Sequence, residues 1–285
     1  MKTEVERAPL LSPGDPPPFV ERRGRNDAFL VVCDHASAAI PRALGSLGLD
    51  SRALGSHIAS DIGARWIARR VAAALDATSI CAGFSRLVID CNRYPWDPAA
   101  SAPRSDGVEV PGNRALDARQ RLARIEEIFL PYHRAIGSSL ARQCASGGRP
   151  VLLSIHSCTP VLAGVRRPWP VGFSYVPPGA LAARAIEALR RRAGIDVGDN
   201  RPYEMETGVD FTSPEHALRR GLACLQVEFR QDLVATPAQA RHWADRLLDA
   251  LAQISAADVS ADPPWTPGWA SPLEASDAAS LLIRP

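Results

Sequence analysis

The stretch AFLVVCDHAS occupies residues 28–37. Its first six residues are apolar without alternation and include the β-branched pair Val31 and Val32. Such a run predicts a strand covered on both faces. The change to Asp34-His35 is abrupt. The same pattern recurs at LVIDC (87–91), which runs into Asn92 and Arg93, and at VLLSI (151–155), which runs into His156 and Ser157. It recurs again at LACLQVEF (222–229), where Glu228 and Arg230 stand at the end of the run. Val171 to Val176 predicts a further strand.

Helical patterns lie between these runs. Asp61 to Leu75 carries Ile62, Trp66, Val71 and Leu75 near one face. Leu116 to Leu140 places Leu122, Ile125, Phe129, Tyr132 and Ile136 three or four residues apart, with Pro131 expected to kink or divide it. Ala180 to Arg191 is a helix ended by Gly194. Ser213-Pro214 and Thr236-Pro237 both have the form of an N-cap followed by proline at the first helical position. Apolar strands alternating with helices predict an α/β sheet with helices on both faces. Residues 1–25 and 261–285 are rich in proline and are expected to be irregular arms, Trp265 and Trp269 being placed to pin the second to the body. The folded domain is expected over 26–260.

The chain has 285 residues, of which 46% are hydrophobic and 22% charged. That excludes a wholly disordered chain and a small disulfide-stapled scaffold. With 33 basic and 31 acidic residues the net charge is +2, so there is no electrostatic case for nucleic acid. The N-terminus lacks the apolar core of a secretory signal, and no run of about 18 apolar residues offers a membrane span. The six cysteines form no CxxC pair and several sit beside apolar runs, as expected of thiols in a reducing, cytoplasmic compartment.

Ligands in open α/β sheets bind beyond the carboxyl ends of the strands, and the residues that follow each run carry the chemistry. His35 and His156 both close buried strands. Two imidazoles in parallel positions predict a shared metal, because a catalytic zinc takes three protein ligands and keeps an open position. Asp34, His57 and Asp61 are the candidates for the third ligand, and HExxH is absent. Glu228 is the candidate general base. Arg86, Arg93 and Arg230 flank apolar strands, and their planar forks suit the carboxylate of a small anionic substrate. His133, His216 and His242 lie on helical patterns and are expected to be structural. There is no GxSxG elbow and no glycine-rich phosphate loop.

Six blocks stand in order across the chain: CDHAS (33–37), SDIGA (60–64), FSRLVIDCNRYP (84–95), SIHSCTP (154–160), GDNRPY (198–203) and VEFRQDL (227–233). Together they resemble the N-formylglutamate amidohydrolase family. The resemblance implies one α/β domain with a mixed, mostly parallel sheet, related to zinc carboxypeptidases. It also implies a zinc ion held by His35, Asp61 and His156. The carboxypeptidase HxxE pattern is missing, since Ala38 stands three residues after His35, so the acid comes from elsewhere. The Asn92-Arg93 pair resembles the pair that holds a substrate carboxylate, and Glu228 matches the place of the general base. The implied activity is hydrolysis of an N-formyl, or other N-acyl, acidic amino acid such as N-formylglutamate. A related enzyme for another N-acyl amino acid or short peptide, and a silent binding homologue, are the competing readings.

Overall fold

The run at 28–33 lies inside a seven-stranded sheet. In the computed structural model, which describes residues 9–254, 265–274 and 277–283, the strands are β1 (Phe19–Arg22), β2 (Asn26–Cys33), β3 (Ala77–Ala82), β4 (Val151–Cys158), β5 (Val171–Ser174), β6 (Val197–Asp199) and β7 (Cys224–Arg230). Their order across the sheet is β1-β3-β2-β4-β7-β5-β6. The four central strands, β3, β2, β4 and β7, run parallel. β1 pairs antiparallel to β3, and β5 antiparallel to β7, so the sheet is mixed but mostly parallel.

Besides a single turn at Ser51–Leu54, the α-helices are α1 (Ala64–Leu75), α2 (Ala118–Arg124), α3 (Leu130–Ala145), α4 (Ala180–Ala193), α5 (Thr212–His216) and α6 (Pro237–Leu251). Alternate residues of each central strand feed two different cores. Val31, Leu153, Ile155, Leu225, Val227 and Phe229 pack with α1, α4 and α6 on one face. Leu30, Val32, Leu152 and Cys224 pack with Tyr132, Ile136 and Leu140 of α3 on the other. Continuous apolar runs follow directly from this two-sided burial. Thr236 and Gln239 form the expected capping box ahead of Pro237.

Several expectations need correction. Leu87–Cys91 is as buried as a strand but is not one. Its backbone groups are satisfied by turn contacts and side chains instead of a ladder. Asn113 Nδ2 donates to Leu87 O, and Ser101 Oγ and Arg124 Nη1 donate to Val88 O, each at 2.8 Å. The strand beside β2 is Ala77–Ala82, whose Ala, Thr and Ser content conceals it. Residues 1–25 are not wholly irregular, because β1 forms a sheet edge. Leu10 and Leu11 are also tied to the Glu127 carboxylate through their N–H groups. Pro131 does not divide its helix. It stands in the first turn of α3, directly after a π-helical turn at Ile125–Phe129, which absorbs the break in the ladder. Trp66 is 41% exposed on the outer face of α1. Helix α5 begins before Ser213-Pro214, at Thr212. The C-terminal arm does pack on the body: Trp265 N–H bonds to Leu218 O, and the Arg219 guanidinium lies over the Trp265 ring. Pro263 and Pro264 of that arm lie outside the described residues. Five cysteines are buried thiols; Cys144 is exposed.

Candidate active site

β2, β4 and β7 run side by side in parallel, so their carboxyl ends meet on one edge of the sheet. His35 lies two residues past β2, His156 lies on β4, and Glu228 is its register partner on β7. Asp61 is brought in by a tight approach before α1, where its N–H bonds to His35 O at 3.0 Å. Gly63, which starts α1, has φ +84°, and a Cβ there would meet Val234 O at 2.2 Å. Only glycine allows this junction.

Asp61 Oδ2 lies 3.3 Å from His35 Nδ1 and 3.0 Å from His156 Nδ1, and it accepts the Ser157 N–H at 3.2 Å. His35, Asp61 and His156 each offer one ligand atom, all within 4.8 Å of one another, and all three residues are buried. Among the described residues no other His, Cys, Asp and Glu cluster has this geometry. Two imidazoles and a carboxylate suit a catalytic zinc.

The far side of each imidazole meets a second buried carboxylate. His35 Nε2 is 2.7 Å from Asp90 Oδ1. His156 Nε2 is 3.2 Å from Asp34 Oδ2, an ion-pair distance without a well-aligned hydrogen bond, and 3.0 Å from Ser154 Oγ. Such outer carboxylates set the ring orientation of metal-binding histidines. Asp34 is itself held by the Tyr132 and Thr212 hydroxyls, which donate to Oδ1 at 2.7 and 2.8 Å. Arg86 clamps Asp90 through Nε and Nη2 at 3.0 and 2.6 Å, and its Nη1 lies 3.6 Å from Asp61 Oδ1. Burial alone would raise the Asp90 carboxyl, but Arg86 and His35 outweigh it and hold it well below the usual range. Burial and Arg86 oppose the charging of His35; Asp90 and Asp61 prevail, so its pKa rises. Burial opposes charge on His156 too, yet the contacts with Asp34 and Asp61 raise it well above 6.5.

These groups open on a cavity of about 190 Å³. Glu228 lines it, and its Oε2 is sealed without a hydrogen-bond partner. Burial is the main cause that pushes this carboxyl up, to about 7, against the lowering effect of His156. Arg93 also lines the cavity. Its Nη1 donates to Asp210 Oδ1 at 2.9 Å and to Asn92 O at 2.8 Å. Its Nε and Nη2 make no hydrogen bond among the described residues.

A sequence model of the family described as N-formylglutamate amidohydrolase matches residues 27–235. The chain belongs to that family. As a member it is an amidohydrolase. It is also similar to the solved structure of the Atu2144 gene product of Agrobacterium tumefaciens, with 35% identity and a TM-score of 0.79 over 86% of this chain and 99% of that one. The N-formylglutamate amidohydrolase of Ralstonia eutropha JMP134 shares the fold at 21% identity, with a TM-score of 0.53 over 82% of this chain and 96% of that one. No curated protein sequence matches it.

Within this member of the N-formylglutamate amidohydrolase family, His35, Asp61, His156, Glu228, Arg86, Asn92 and Arg93 all line the one cavity. Arg230 does not. It pairs with Asp232 at 2.8 Å and donates to the carbonyls of Arg167 and Pro168. Of the other candidates for third ligand, Asp34 stands behind His156, and His57 is paired with Asp106 elsewhere, at 2.9 Å. Asn92 is held by three hydrogen bonds: its Oδ1 accepts the Phe211 and Thr212 N–H groups, and its Nδ2 donates to Asp210. The sequence reading missed the outer roles of Asp34, Asp90 and Tyr132. Asp34 and Asp90 were visible as acids at the ends of apolar runs, but no spacing connects Tyr132 to them. No helix among the described residues is long and apolar enough to cross a membrane.

Proposed function

We propose that the chain hydrolyses the amide of an N-formyl acidic amino acid such as N-formylglutamate, releasing formate and the amino acid. The observation that carries this reading is the placing of Glu228, a buried carboxyl whose Oε2 has no hydrogen-bond partner, on the same cavity as the His35–Asp61–His156 group. A carboxylate so placed can act as a general base. A zinc ion held by His35, Asp61 and His156 would polarise the amide carbonyl and make water more acidic. Asp90 and Asp34, on the far side of the two imidazoles, would fix the ring orientations for that role.

Glu228 accepts a proton from the attacking water and delivers it to the leaving nitrogen as the carbon–nitrogen bond breaks. Arg93 binds a substrate carboxylate with its uncommitted Nε and Nη2, while Asn92 and Asp210 hold it in place. Arg86 serves Asp90 and Asp61 instead of the substrate. The cavity, below the usual range of about 300–1,000 Å³ for ligand pockets, favours a small metabolite over a peptide. Glu228→Gln keeps the shape and removes proton acceptance. That variant should retain its zinc and lose turnover of N-formylglutamate by roughly 10²–10⁴-fold. Normal turnover would defeat the mechanism, and a panel of N-formyl, N-acetyl and N-succinyl amino acids fixes the acyl group.

A further inference from the structure

One buried guanidinium serves neither the core nor the site as described so far. Arg124 shows what a structural buried arginine does here. It is 1% exposed, and it donates to Val88 O, Asn113 Oδ1 and Gly112 O. Arg167 is 6% exposed; its Nη1 donates to Thr159 O at 3.2 Å, and its guanidinium also lies within hydrogen-bonding reach of the Cys158 thiol and the Tyr203 hydroxyl, all of them neutral groups. Among the described residues no carboxylate lies within ion-pair distance of it. None of the groups it meets carries a charge that could balance its own. A buried charge without an anionic partner is costly and calls for a compensating anion.

Its backbone is fixed beyond the carboxyl end of β4. The Arg167 N–H bonds to Pro160 O at 2.9 Å, and its carbonyl accepts from Arg230 Nη1 at 3.2 Å. Arg230, which the sequence placed in the site, thus pins the segment that carries Arg167. The Arg167 guanidinium carbon lies 4.5 Å from the centroid of the Tyr203 ring. Tyr203 lines the same cavity as Glu228 and Arg93 and is 41% exposed. Burial first, then Glu228, raises the Cys158 thiol and the Tyr203 hydroxyl, and Arg167 lowers both through its contacts with them.

The arginines around the site divide clearly. Arg86 is occupied by Asp90, and Arg230 by Asp232 and two carbonyls. Among the described residues Arg167 alone of these four pairs with no carboxylate, and Arg93, paired with Asp210 through Nη1, keeps Nε and Nη2 uncommitted. We infer that Arg167, stacked on Tyr203, is a second anion anchor, which takes the side-chain carboxylate of the substrate and leaves the α-carboxylate to Arg93. This rests on the N-formyl amino acid reading above and deepens it, because two anchors select a substrate with two carboxylates.

The test compares Arg167→Met and Arg167→Lys with the parent, after zinc content and thermal unfolding have shown each to be folded. KM for N-formylglutamate should rise roughly 10–100-fold in Arg167→Met, the worth of about one charged hydrogen bond, with kcat changed far less. KM for N-formylglutamine, which has one carboxylate, should rise by a much smaller factor. Arg167→Lys should recover part of the loss, because charge returns without the fork. Equal losses on both substrates, or none, would overturn the inference. Calorimetry with glutarate, a bare dicarboxylate, reads the anchor without turnover. Weaker binding to Arg167→Met than to the parent supports it, while equal binding, or no binding by the parent, overturns it. A parent that binds glutarate but hydrolyses no N-formyl amino acid would refute the proposed reaction and leave the anchor standing.

Discussion

Asp34 shows how one residue acts at a distance from the chemistry. Its Oδ2 stands 3.2 Å from His156 Nε2, and its Oδ1 accepts from Tyr132 and Thr212. Burial alone would raise this carboxyl, but the contact with His156 turns the balance and its pKa falls. An ionised Asp34 directs the other nitrogen of His156 toward Asp61. Asp34→Asn keeps the size and removes the charge. Zinc affinity, measured by competition with a chelator, should fall roughly 10–100-fold, the usual effect of losing an outer carboxylate. An unchanged affinity would show that Ser154 alone orients the ring. The same reasoning separates Arg86 from Arg93. Both stood at the ends of apolar runs in the sequence, but one fork is closed by Asp90 while the other is half open.

At the scale of elements, the junction before α1 bears most directly on function. Gly63 sits in the left-handed region, with Val234 O where a side chain would begin, and Asp61 lies two residues upstream. Gly63→Ala should cost roughly 1–3 kcal/mol in denaturant unfolding, from strain and the close approach, and should lower zinc binding as Asp61 shifts. A variant as stable as the parent would mean that the loop relaxes freely. This junction also marks the limit of what periodicity could reveal. Continuous apolar runs exposed β2, β4 and β7 because both their faces are buried. The same reasoning read Leu87–Cys91 as a strand, since burial looks alike whether a ladder or the side chains of Ser101, Asn113 and Arg124 satisfy the backbone. Ala77–Ala82 escaped notice for the opposite reason, being buried with little apolar bulk. His35, His156 and Glu228 were legible because each stands at or near the end of such a run. Asp61 was not singled out by pattern alone, and Arg167 gave no signal, because a buried charge without a carboxylate partner shows only in space.

At the scale of the whole molecule, the second pair of buried histidines governs acid stability. His133 Nε2 lies 2.8 Å from Cys91 O, a carbonyl that can only accept, so that nitrogen carries the proton. His133 Nδ1 must then accept from His216 Nε2 at 3.0 Å, leaving His216 Nδ1 buried without a partner, as observed. Both rings are therefore neutral in the folded protein. Burial is the main cause that lowers His133 to about 4 and His216 well below 6.5. In the unfolded chain both would titrate near 6.5. Below that pH the unfolded state binds more protons, so the stability each ring contributes is complete above about 6.5 and is lost as pH falls toward the folded value. Each ring can contribute up to about 1.4 kcal/mol per pH unit in that window. Glu228, raised to about 7, works in the opposite sense over part of the same interval, so the measurement must compare a variant with the parent. His216→Gln can still donate to His133 Nδ1 but cannot be protonated. Denaturant unfolding between pH 6.5 and 4 should show the parent losing stability more steeply than this variant, by about 1 kcal/mol per pH unit. Parallel profiles would mean that His216 takes up its proton without unfolding the chain.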